Sequence, residues 1–315
     1  MLSYSTVALA YSPEREAMMM DAIDLWPLCV EVAHVLSQHY VPAMEEKAAE
    51  RQLSSEACWL LLPALSFEPE TISAERLCIR SPYPAPKKIA AGLEKMAGLG
   101  FLLPANGRKG AYWLSDQGHE ALDDIISAAY TAMAGLLPLP PDELEALSEG
   151  LWKLVCACDV APEPPGKWSL RHSRQLDPGE GAPVMVRIDQ YLSDLAAYRD
   201  DAHLAAWEIH DISGHSWEIV TYMWQFGSMS LADLTERMAS RGFSPAEHRQ
   251  SLDALMARGW VDITGEEYYL TRLGRVVREA AEVETDRYFS QPWACLSDEE
   301  MADLQTQLID LLHML

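Results

Sequence analysis

The chain has 315 residues, more than one ordinary domain holds, and its 49% hydrophobic and 23% charged residues are a normal balance for a folded protein. Twenty-four Lys+Arg against 48 Asp+Glu give a formal net charge of -24, which opposes anionic lipid and is the reverse of the usual footprint of a nucleic-acid binder. The longest nearly unbroken apolar stretch, Cys58 to Leu65, falls far short of the roughly 20 residues that cross a bilayer. The first twenty residues lack a basic n-region and carry Glu14 and Glu16 where an apolar segment should continue, so a cytoplasmic chain with no membrane partner is expected. The six cysteines, at 29, 58, 78, 156, 158 and 295, match no zinc template and are expected as reduced, mostly buried thiols.

Taken in chain order, the predicted elements occur twice, offset by 159 residues up to the hairpin, after which the second copy loses a few residues. A long helix (about 26 to 52) precedes a second helix opened by Ser54, and 185 to 211 precedes one opened by Ser213. A short third helix follows at 72 to 80 and at 230 to 240. The fourth runs over 85 to 98 and 244 to 258, with Pro86 or Pro245 in its first turn and Gly100 or Gly259 at its end. Two strands come next: Phe101 to Leu103 and Ala111 to Leu114 around Asn106-Gly107, then Trp260 to Ile263 and Tyr268 to Leu270 around Gly265. Ser115 or Thr271 opens a fifth helix. A sixth carries Leu144, Leu147, Leu151 and Leu154, matched by Met301, Leu304, Leu308 and Leu311 with the same 3-4-3 spacing, which implies repeated packing.

Three helices followed by a β-hairpin read as a winged helix-turn-helix. With the long first, fifth and sixth helices, both copies resemble the MarR family of bacterial transcription regulators. The resemblance rests on Gly100-Phe101 and Gly259-Trp260, on the pattern L-[ST]-x-x-G at 114 to 118 and 270 to 274, and on the final-helix opening Leu296-Ser297-Asp298-Glu299-Glu300. It implies a mainly α fold with small β-wings, two tandem winged helix units forming an intrachain pseudo-dimer, and a DNA-binding regulator that is a monomeric pseudo-dimer or a homodimer. The expected division is a first unit over 1–160 with an N-terminal extension and a basic recognition face, a Pro/Gly-rich linker over 161–183 acting as a solvated tether, and a second unit over 184–315 with an acidic recognition face.

In such a fold the fourth helix and the wing face the duplex, so double-stranded DNA is expected to meet Lys87, Lys88, Lys95, Arg108 and Lys109. Residues 51 to 115 hold eight basic and five acidic residues, whereas 213 to 271 hold four and eight. Glu247 stands where the first copy has Lys88, and the second wing reads Gly265-Glu266-Glu267, which repels phosphate. Contact mainly through the first unit is therefore expected; the alternative is a ligand-sensing or protein-interaction scaffold that keeps the fold without DNA binding.

His203, Trp207 and His210 share one helical face, with His215, Trp217 and Trp224 on the next helix. Imidazoles and indoles so placed suit a pocket for a small apolar or aromatic effector, and equally suit a packed core. The sequence carries no G-x-S-x-G, no phosphate-cradling glycine loop and no H-E-x-x-H, so neither an enzyme nor a resident cofactor or metal is expected.

Overall fold

The computed structural model describes residues 22–315, so the leader reading and most of the expected N-terminal extension lie outside the described residues. The first half of the chain forms α1 (Ala22–Glu50), α2 (Ser55–Ser66), β1 (Ile72–Ser73), α3 (Ala74–Arg80), α4 (Pro86–Gly98), β2 (Leu102–Pro104), β3 (Ala111–Leu114), α5 (Asp116–Ala134) and α6 (Pro141–Val160). After α7 (Trp168–Arg174) the order recurs: α8 (Val184–Glu208), α9 (Gly214–Phe226), β4 (Met229–Ser230), α10 (Leu231–Arg237), α11 (Pro245–Ala257), β5 (Val261–Thr264), β6 (Glu267–Leu270), α12 (Arg272–Ser290) and α13 (Asp298–Met314). The protein is thus mainly α with small antiparallel sheets. It folds as two compact units that interleave in sequence, one made of 22–66, Asp116–Ala202 and Asp286–Leu315, the other of Phe67–Ser115 and His203–Thr285.

The unit made of 22–66, Asp116–Ala202 and Asp286–Leu315 is a helical body. Leu25, Cys29, Val32 and Leu36 place one face of α1 in a core shared with Leu144, Leu147, Leu151 and Leu154 of α6, Leu192, Leu195 and Tyr198 of α8, and Leu304, Leu308 and Leu311 of α13. All four α6 leucines are completely buried, each contributing roughly 1.5–3 kcal/mol of transfer free energy; Met301 stays at the edge, half-buried. Ser54 opens α2 by accepting from the Ala57 N–H at 3.2 Å, and a capping box of Ser297 and Glu300 opens α13. All six cysteines are free thiols; Cys29, Cys58 and Cys158 are buried and Cys156 is exposed. Burial pushes the Cys29 thiol up to about 12, so it stays protonated and behaves as a small apolar residue.

The expected solvated tether is instead pinned to this body. The Asp201 carboxylate of α8 accepts from the Ser169 and Leu170 amides at 2.7 and 2.9 Å, satisfying the first turn of α7. Arg174 pairs with buried Asp194 at 2.8 Å, and Ser173 donates to the same carboxylate at 2.6 Å. Lys167 donates to the carbonyls of Cys158 and Asp159 at the end of α6, both at 2.7 Å, where cations favour the helix terminus. The linker's Pro and Gly content signals a tether, while the partners that order it lie on α6 and α8.

The other, winged unit holds two three-stranded antiparallel sheets of the same order, β1-β3-β2 and β4-β6-β5. Their first strands have only two residues each, too short for alternation to reveal in sequence. The motifs that carried the resemblance acquire a mechanical reason. After α4 and α11 the backbone turns left-handed at Gly100 (φ 89°) and Gly259 (φ 71°), one residue beyond the C-caps Leu99 and Arg258. Ser115 then donates to the Gly100 carbonyl at 2.6 Å, and Thr271 to the Gly259 carbonyl at 2.6 Å, tying each hairpin's exit to the end of the helix before it. Gly274 completes the motif, since a Cβ there would stand 2.2 Å from the Trp260 carbonyl oxygen. The core around Trp217, Val220, Met223, Leu234, Leu252 and Leu255 packs under the second sheet.

Candidate nucleic-acid interface

Ile89, Leu93 and Met96 turn one face of α4 into the core and leave Lys87, Ala90, Ala91, Glu94 and Lys95 exposed on the other. In the following hairpin Leu102, Ala111 and Leu114 point inward, so their alternates Leu103 and Trp113, directly paired across the strands, face solvent. Arg108 and Lys109 stand exposed at the tip, after Gly107 at φ 76°. Lys95, Arg108 and Lys109 form no ion pair among the described residues, and residues 95–115 contain no carboxylate. In a chain of net charge -24 this is a local surface of opposite sign.

The other two expected DNA contacts are engaged inside the same unit. Lys87 Nζ pairs with both oxygens of Glu247 at 2.6 and 2.7 Å, and Lys88 Nζ donates to the Ser240 carbonyl at 2.6 Å. The Ala85 amide donates to the Arg241 carbonyl at 2.8 Å, so the start of α4 is held by the loop preceding α11. The approach is close: a Cβ on Gly242 would lie 2.9 Å from Lys88 Cβ, and one on Gly214 would lie 2.5 Å from the Pro82 carbonyl oxygen. Glu247 also completes the capping box of α11 by accepting from the Ser244 amide at 2.7 Å. The Lys87 ammonium, with the Ser244 N–H and hydroxyl, holds that carboxyl down to about 2. Its sequence context displays only the capping box, whereas its ion-pair partner lies 160 residues away.

In residues 213–271 the four cations are occupied and the wing is acidic. Arg241 chelates Glu218 at 2.5 Å, and Arg258 donates to the carbonyls of His210 and Asp211, both at 2.8 Å. Arg237 lies over Phe226 and Arg249 over Tyr268. Asp262, Glu266 and Glu267 remain exposed.

The aromatic segment resolves into two clusters. In the first, Trp207 and Trp217 stack with centroids 5.6 Å apart, and His210 stacks on Trp217 at 6.1 Å and meets Trp260 edge-on at 5.5 Å. Trp217 Nε1–H donates to His203 Nε2 at 3.2 Å, which leaves the His203 proton on Nδ1, 3.4 Å from the Thr285 hydroxyl. Arg278 lies over both Trp217 and Trp224, at 5.5 and 4.8 Å. Burial lowers the pKa of His210, aided by the nearby Arg258 charge.

His215 belongs to the second cluster. Its ring stacks on Phe243 at 3.7 Å, its Nδ1 is 3.1 Å from the Ser251 hydroxyl, and its Nε2 is 2.8 Å from Nδ1 of His248. Desolvation and the neighbouring imidazole push His215 down to about 4. Sequence reasoning missed His248, which is completely buried. The available signal was the repeat itself, since His248 replaces Ile89 of the inward-facing stripe. Among the described residues no group of three His, Cys, Asp or Glu is placed to hold a metal ion, and no helix is long and apolar enough to cross a membrane.

A helix-turn-helix family model matches residues 173–315, spanning all of α8 to α13. The chain therefore contains a helix-turn-helix domain, which points to a DNA-binding regulator. No curated protein and no solved structure matches the chain.

Proposed function

We propose that the protein is a cytoplasmic, MarR-like transcription regulator in which two tandem winged helix units form an intrachain pseudo-dimer, and that the first unit supplies the DNA contact. The recurrence of element order and sheet order in the two halves supports the tandem reading. The observation that carries the DNA contact is the unpaired basic surface of Lys95, Arg108 and Lys109. Lysines at the start of the recognition helix are held by Glu247 and Ser240, so the wing makes the first contact and Lys87 and Lys88 join only when those bonds exchange for phosphate. A small aromatic effector acts at Trp207, His210 and Trp217; the Trp207 Nε1–H, buried without an acceptor among the described residues, supports a site there.

Fluorescence anisotropy of a labelled duplex at about 50 mM salt tests this reading, because phosphate contacts are strongest there. Binding by the unmodified chain, lost in the double variant Arg108→Glu/Lys109→Glu, is the expected result. A second reading, a protein-interaction scaffold with the same fold, is favoured by the Lys87–Glu247 closure and the acidic second wing. Absence of duplex binding by the unmodified chain selects it.

A further inference from the structure

The N-terminal three turns of α12 carry an apolar stripe with no covering partner among the described residues. Leu273, Val276 and Val283 are 51%, 53% and 69% exposed, and Ala280 between them is exposed as well. Their 3-4-3 spacing is the a/d seam of a two-helix coiled coil. The opposite side, Gly274, Arg278, Ala281 and Thr285, is buried in the unit, so the stripe is the helix's outward face. Isolated exposed valines need no explanation, but a continuous three-turn seam does.

The charges beside the seam identify what covers it. At 100° per residue Arg272 and Glu279 lie along one flank, the cation toward the helix start and the carboxylate two turns on, while Arg275 and Glu282 lie further round the helix, where Glu282 pairs with Arg278. Val277 and Glu284 lie along the other flank. Two antiparallel copies bring like flanks together, which sets Arg272 of each against Glu279 of the other. A parallel pair joins unlike flanks and places Glu279 beside Glu284 of its neighbour, a repulsive arrangement. The pattern is complementary to itself in one orientation alone.

We propose that this face of α12 is a two-fold, antiparallel self-association site, its occupant a second copy of the same chain. Three apolar side chains and their flanking charges form a patch smaller than a permanent interface needs, so the dimer is transient, with a Kd on the order of 100 µM. It stands independently of DNA binding.

Sedimentation velocity of the full chain from about 5 to 500 µM tests the proposal, a range that brackets the expected Kd. Sedimentation should move from monomer toward dimer, and Val276→Glu/Val283→Glu should remove the shift without altering the far-ultraviolet circular dichroism, since both side chains are exposed. Arg272→Glu alone and Glu279→Arg alone should each weaken association about tenfold or more, while an equimolar mixture of the two variants should restore it. A chain that stays monomeric throughout, a dimer indifferent to the valine changes, or a mixture no better than its components overturns the proposal.

Discussion

The buried His215–His248 pair makes acid a specific perturbation of the winged unit. An unfolded histidine titrates near 6.5, and burial against His248 holds His215 at about 4. Between those values the unfolded chain binds a proton that the native chain refuses. The stability from keeping His215 neutral is therefore fully present above pH 6.5 and declines as pH falls toward 4. A difference of 2.5 pKa units corresponds to about 3 kcal/mol. His215 is 4% exposed, so solvent screening removes little of that. His248 is shifted the same way by its burial and adds to the effect, while the Glu247 carboxylate opposes it in both rings. Carboxylates elsewhere also titrate in this range, so the informative quantity is the difference from His215→Gln, whose amide keeps a donor and an acceptor for Ser251 and His248. Urea denaturation followed by tryptophan emission, which reports the Trp207–Trp217 stack, should show the wild-type advantage shrinking by about 3 kcal/mol from pH 7.5 to pH 4. A difference constant to within about 0.5 kcal/mol refutes the reasoning.

Gly274→Ala should destabilise the winged unit by about 2–4 kcal/mol, because a Cβ 2.2 Å from the Trp260 carbonyl forces α12 off the hairpin; a thermal melt within one degree of wild type contradicts this. Leu151→Ala should cost about 2–5 kcal/mol in the helical body, where its side chain is completely buried, as read by the urea midpoint. Burial lifts the Asp189 carboxyl to about 7 even though the Tyr40 hydroxyl bonds it, so its contribution weakens stability progressively as pH rises from 4 through 7. Asp189→Asn should flatten that alkaline-side decline, and a variant with an unchanged pH profile from 5 to 8 contradicts the assignment. Glu247→Gln, which keeps the α11 cap and releases Lys87, should tighten duplex binding about threefold to tenfold at low salt, measured by anisotropy.

Much of the fold was legible because its signals are local. Pro86 and Pro245 start helices, Gly100 and Gly259 end them, and the α6 leucine spacing maps directly onto a buried face. The repeat doubled each signal, so a weak cap in one copy was supported by its counterpart in the other. What escaped the sequence depends on partners distant along the chain. Helix α7 has no capping residue of its own and takes its cap from Asp201. Lys87 looks like a free phosphate ligand until Glu247 is brought beside it, and His215 looks like part of a Trp207–His210 pocket until His248 and Phe243 enclose it. Charge and helical period identify a face, but only tertiary contact decides which charges on it are spent.

The salt dependence of duplex affinity tests the central claim most directly. If the first wing and Lys95 make the contact while Lys87 and Lys88 remain bound to Glu247 and Ser240, three phosphates are neutralised and the log-log slope should be about -2.7. Arg108→Glu/Lys109→Glu should bring it to about -1 or abolish binding. A slope near zero, or a slope unchanged by the wing substitutions, contradicts DNA contact through the first unit.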